Sequence, residues 1–297
     1  LPTFSELQLF FSFTIHFKNL QMKLQHLFYT GFVLTVASFT ACNNESNQAT
    51  TETKAPSYKE ENVSYTGDSV TMNGYVVYDE NKEGARPAVL VIPEWWGLND
   101  YAKSRAKQLA ELGYIAMAID MYGNGKQADN PDSAGKYATP FYQNPQMAKA
   151  RFDAALAKLK TYIQTDASKI AAIGYCFGGA QVISMAKLGE ELKGVVSFHG
   201  NLNVVPANKD SLKAEILVCH GAVDPFVPQA EVDQFKKQMD SIGAKYTFIA
   251  YDSAVHAFTN PNATAMGEKF KIPIQYNAAA DSASWKDMKT FFTRIFQ

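Results

Sequence analysis

Gly174-Tyr175-Cys176-Phe177-Gly178-Gly179 stands between an apolar β-type run over 169–173 and an apolar helical run over 180–188. A strand that bends abruptly into a helix needs flanks almost free of side chain, and the glycines supply them. The residue at the bend is then a cysteine at the amino end of a helix. Unpaired N–H groups and the helix dipole favour a thiolate there. Gly-x-Cys-x-Gly in a strand-turn-helix setting points to nucleophilic catalysis through sulfur.

Outward from this bend the chain alternates β and α patterns. Strands are expected at 63–65 and 71–78, joined by a Gly-Asp turn as an antiparallel edge pair, and at 88–92 and 114–119. Further strands are expected at 195–198, 216–218 and 245–249. Helical spacing covers 100–112, with Leu109 and Leu112 on one face, and 147–163, with Phe152, Leu156, Leu159 and Ile163. It recurs at 229–242 and at 281–296, where Trp285, Met288, Phe292 and Ile295 share a side. The glycine- and proline-rich stretch 121–145 is expected to be a long loop. This alternation calls for an α/β fold, a mainly parallel sheet with helices on both faces, in one domain over 62–297.

The 297 residues are 46% hydrophobic with a formal net charge of −1. That length fills one large core, and near-neutrality gives no electrostatic case for binding nucleic acid. Cys42, Cys176 and Cys219 form neither a paired framework nor a metal-ligand pattern. No metal or organic cofactor is expected, and a monomer is. Cys219, on a strand, is expected to be an inert apolar residue.

The front of the chain has the pattern of a targeting element. From Met22 it offers a basic start, an apolar run over 27–39 and Thr40-Ala41-Cys42, the layout of a secretory signal peptide over 22–41. It resembles a bacterial lipoprotein signal with Cys42 as the lipidated residue, although Phe39 stands where leucine is usual. An ordinary signal peptide or a single membrane anchor stays open. Residues 1–21 are expected to be an upstream extension, and the polar stretch over 42–61 a flexible tether.

Parallel α/β sheets gather functional side chains at the carboxyl ends of strands, where Glu94, Cys176, His199, His220, Asp224 and His256 are expected. Cys176, Asp224 and His256 follow the chain order nucleophile, acid, base. His199 and His220 are expected mainly to hydrogen-bond loop backbone.

The chain from 63 to 296 resembles the dienelactone hydrolase family of the α/β-hydrolase superfamily. Five ordered blocks carry the likeness: 91–99 (Val-Ile-Pro-Glu-Trp-Trp-Gly-Leu-Asn), 120–123 (Asp-Met-Tyr-Gly), 174–179, 220–225 (His-Gly-Ala-Val-Asp-Pro) and 256–261 (His-Ala-Phe-Thr-Asn-Pro). The resemblance implies Cys176 as nucleophile, His256 as base, Asp224 as its orienting carboxylate and Glu94 as a proton partner of the thiol. It also implies an oxyanion hole from the backbone N–H groups of Trp95 and Phe177. Tyr122, Trp96, His199 and Phe258 are candidates for the substrate pocket. So are Asn124 and Asn260, which stand where dienelactone-cleaving members place two arginines. Asparagine offers no charged fork to a carboxylate. The expected substrate is therefore a small neutral ester or lactone, cleaved by an exported enzyme whose membrane contact is the anchor at Cys42. A thioesterase or other acyl hydrolase, or a ligand-binding lipoprotein without turnover, remain alternatives.

Overall fold

In the computed structural model, which describes residues 54–297, eight strands build one sheet. They are Tyr58–Gly67 (β1), Val70–Asp79 (β2), Arg86–Ile92 (β3), Ile115–Ala118 (β4), Thr165–Tyr175 (β5), Gly194–Phe198 (β6), Glu215–Gly221 (β7) and Tyr246–Tyr251 (β8). Seven helices connect them among the described residues. These are Asp100–Glu111 (α1), Pro131–Gln143 (α2), Pro145–Lys160 (α3), Phe177–Lys187 (α4), Gln229–Ile242 (α5), Ala263–Phe270 (α6) and Ala278–Ile295 (α7). The strand order is β1-β2-β4-β3-β5-β6-β7-β8. β2 pairs antiparallel with β1 and with β4, and the remaining pairs are parallel.

The period of two along each central strand divides the core. Ala88, Leu90 and Ile92 of β3 join one apolar cluster with residues of α2, α3, α4 and α5. Val89 and Val91 point the other way, into a cluster with α1 and α7. Both faces are covered, which is why these strands read as unbroken apolar runs.

Some expectations are corrected. The stretch 121–145 is not one loop, because α2 lies inside it. Asn130 caps α2 by accepting the Ser133 N–H, Pro131 occupies the first turn, and Ala134, Ala138 and Phe141 form its buried side. Residues 58–61 belong to β1 rather than a tether, since they pair one for one with Asp79 to Val76 of β2. Ile163 is 87% exposed because α3 ends at Lys160, and Leu112 is half-exposed as the carboxyl cap of α1. The signal peptide, Cys42 and residues 1–21 lie outside the described residues.

Candidate active site

Parallel register brings the working ends of the strands level. Ile92 pairs with Gly174, Tyr175 with Phe198, Phe198 with Cys219, and Gly221 with Tyr251. Glu94, Cys176, His199, Asp224 and His256 all follow within a few residues of those ends. β3 and β5 lie side by side where the strand order reverses direction, and such switch points open a crevice above the sheet.

Cys176 has φ 52° and ψ −114°, a conformation costly for any residue with a Cβ. The bend survives because its neighbours take no room. A Cβ on Gly174 would come within 2.0 Å of the Gly178 carbonyl oxygen, and one on Gly178 within 2.1 Å of the Ile92 carbonyl oxygen. The Cys176 N–H points inward, donating to the Phe198 carbonyl at 3.0 Å and to His199 Nδ1 at 3.0 Å. Its thiol caps no helix N–H. Phe177 opens α4, so its N–H has no partner one turn back.

His256 Nδ1 lies 2.8 Å from Asp224 Oδ2, and the Asp224 side chain is fully buried. The other Asp224 oxygen accepts the Phe226 N–H, which fixes the carboxylate. Burial opposes a charged imidazole. Electrostatic attraction to Cys176 and a hydrogen bond with it join Asp224 to outweigh it and raise the His256 pKa to about 10. Glu94 is buried, and desolvation pushes its pKa up to about 7, despite a hydrogen bond from Asn260 Nδ2 to its Oε2 at 2.6 Å and the nearby His256 and Arg105.

Cys176, His256 and Glu94 share a cavity of about 250 Å³, at the small end for ligand pockets. Trp95, Trp96 and Phe177 form part of its wall, and no Lys or Arg lines it. α2 supplies another wall through Ala138, Thr139 and Tyr142, and Asn201, Phe226, Ile272 and Ile274 complete the mouth. Most of these were not singled out from sequence. The Asn130-Pro131 start and the 134/138/141 spacing were the signals for α2.

Several candidates stand elsewhere. Asn124 is exposed, with its N–H on the Thr71 carbonyl, so it does not reach the cavity. Asn260 is turned onto Glu94 and buried. Tyr122 supports the wall from behind, its hydroxyl donating to the Trp95 carbonyl at 2.8 Å. Phe258 packs in the core against His199 and Tyr251. His199 lies behind the bend. His220 bonds no loop backbone, and its Nδ1 is buried without a partner among the described residues. Cys219 is fully buried, and burial lifts its thiol pKa to about 12.

Comparison with known proteins identifies the family of this chain. The dienelactone hydrolase family model matches residues 72–296. Protein usf of Aquifex pyrophilus is 31% identical over 67% of this chain and 86% of its own. A putative carboxymethylenebutenolidase of Aquifex aeolicus is 30% identical over the same shares. A crystal structure of a dienelactone hydrolase-like promiscuous phosphotriesterase from metagenomic libraries superposes with a TM-score of 0.76. It is 35% identical, over 81% of this chain and 99% of that one. With the family model matched from the second strand to the last helix and the fold superposing on a dienelactone hydrolase-like structure, the chain belongs to the dienelactone hydrolase family of carboxylic ester hydrolases.

Proposed function

We propose that this enzyme hydrolyses small, uncharged carboxylic esters or lactones through an acyl-enzyme on Cys176. The observation that carries the reading is the line Asp224–His256–Cys176 opening onto a small, largely apolar cavity that no Lys or Arg lines. The thiolate attacks the carbonyl carbon, and the oxygen takes the charge between the N–H groups of Trp95 and Phe177. Preformed donors of that kind are worth about 3 kcal/mol each in the transition state. Collapse breaks the ester bond, and the His256 imidazolium protonates the departing alkoxide. Neutral His256 then removes a proton from water, which attacks the thioester and releases the acid and the thiolate. Asp224 holds the ring and stabilises its charged form. Glu94 is a proton-exchanging group facing the same space.

The purified protein is expected to release p-nitrophenol from short p-nitrophenyl esters, and intact mass after a rapid quench to show one added acyl group. Cys176→Ala abolishes both with an unchanged circular dichroism spectrum; a mutant that turns over at the wild-type rate removes Cys176 from the chemistry. Thioesters share the acyl step and belong in the same panel. Neutral phosphotriesters are a second class to assay, because the 35%-identical structure is described as a promiscuous phosphotriesterase. For location we propose an exported enzyme anchored by lipid at Cys42, and an unmodified Cys42 in membrane-extracted protein would refute the anchor.

A further inference from the structure

His199 is 1% exposed and follows β6 with φ 44°, a left-handed conformation unusual for a side chain of its size. That backbone turn swings the imidazole under the Cys176 bend. Nδ1 lies 3.0 Å from the Cys176 backbone nitrogen, and Nε2 lies 2.7 Å from Thr259 Oγ1. Thr259 is fully buried, three residues beyond His256 in the same loop. Its hydroxyl also meets the Tyr101 hydroxyl at 2.7 Å, and its carbonyl accepts from Arg105 Nη2, which bonds Asp281 as well. One ring therefore joins the turn that carries the sulfur to the loop that carries the base.

The protonation state follows from the partners. A backbone N–H can only donate, so Nδ1 must accept and the single ring proton sits on Nε2, facing Thr259. A second proton would destroy the bond to Cys176. The groups that act on this ring are His256 in its loop, Arg105 on α1 and His220 on β7. Burial above all, and then these charges, hold the His199 pKa well below its ordinary value. The His199 and His256 rings meet edge to face at 5.3 Å, so a charged His199 would also repel the imidazolium of the pair.

We propose that His199 is a positioning residue for the Cys176–His256 pair, tying the nucleophile's backbone amide to the base-bearing loop as a neutral, Nε2-protonated imidazole. It touches no substrate, since it lies outside the cavity wall. The role rests on Cys176 and His256 being the reacting pair. Displacing one member by a fraction of an ångström to 1 Å typically costs up to about a hundredfold in rate.

The test uses the full chain with His199→Phe, which keeps a ring but neither hydrogen bond, and His199→Asn, whose Oδ1 can accept the Cys176 N–H. Thr259→Val removes the far partner at nearly constant shape. The readouts are kcat and KM on p-nitrophenyl acetate and the pH profile of Cys176 alkylation by iodoacetamide. His199→Phe is expected to lower kcat roughly tenfold to a hundredfold with KM within about twofold. Its alkylation profile is displaced along the pH axis from that of the wild type. His199→Asn recovers at least about tenfold of any larger loss, and Thr259→Val shifts both readouts the same way by less. If His199→Phe does not fold, His199→Asn and Thr259→Val decide by the displacement of the alkylation profile. A rate loss with an unmoved profile and no recovery in His199→Asn means bulk packing only and overturns the proposal. Turnover surviving in Cys176→Ala overturns the parent assignment, whatever the His199 variants do.

Discussion

Glu94 shows how one buried carboxyl connects chemistry with stability. Its pKa of about 7 lies above the usual carboxylate value because desolvation disfavours the charge. Between pH 4.5 and 7 the unfolded chain gives up this proton while the folded chain keeps it, so stability falls as pH rises through that window and levels off above it. At about 1.4 kcal/mol per unit the total is about 3 kcal/mol. Glu94→Gln, permanently neutral, is expected to gain in melting temperature over wild type at pH 8 and to gain little at pH 4.5; an equal gain at both would show that this carboxyl is not the source. At this scale the sequence was legible where chemistry follows chain order: the glycine bracket marked Cys176, and Asp224 and His256 fell after the right strands. The Asn260 amide on Glu94 and the imidazole beneath Cys176 were not. Both depend on which way a loop residue turns after its strand, and the positive φ of His199 leaves no mark in residue type.

Among the elements, α2 supplies one wall of the cavity through Gly135, Ala138, Thr139 and Tyr142. It escaped a reading by pattern because Gly135 and Pro140 are poor helix formers and its buried side has only three residues. Packing overrode propensity, with Phe141 set against Tyr122 and Phe177 beneath the cavity wall. Thr139 is exposed, yet it lines the cavity from the outer side of this helix. Thr139→Trp is expected to narrow the mouth and raise KM for long acyl esters about tenfold, a penalty of about 1.4 kcal/mol, while acetate esters keep theirs. A uniform change across chain lengths would place the acyl chain along another wall. The central strands, by contrast, were plain in the sequence, since burial on both faces leaves unbroken apolar runs such as 88–92 and 114–119, whereas the first half of the edge strand β1 was not.

For the molecule as a whole, the alternation of strand and helix announced a covered parallel sheet, but not its strand order or which helices share a face. Those follow from crossover handedness and from matching apolar stripes across long sequence separations. Among the described residues, 54–297, the two core clusters draw on elements from β2 to α7, and the cavity wall on residues from Glu94 to Ile274. A fragment of those residues is accordingly expected to fold and to match the full chain in kcat/KM within about twofold on a soluble ester; an insoluble or inactive fragment would show that the preceding residues complete the fold. The parallel pairing of β7 with β8 has a temporal side. Cys176 is synthesised well before His256, so a nascent chain lacking its last strand carries the bend without the imidazole that faces it. On the mechanism proposed above, the reacting pair is complete only once the final strand and the loop after it are in place, and a molecule that loses them loses its base.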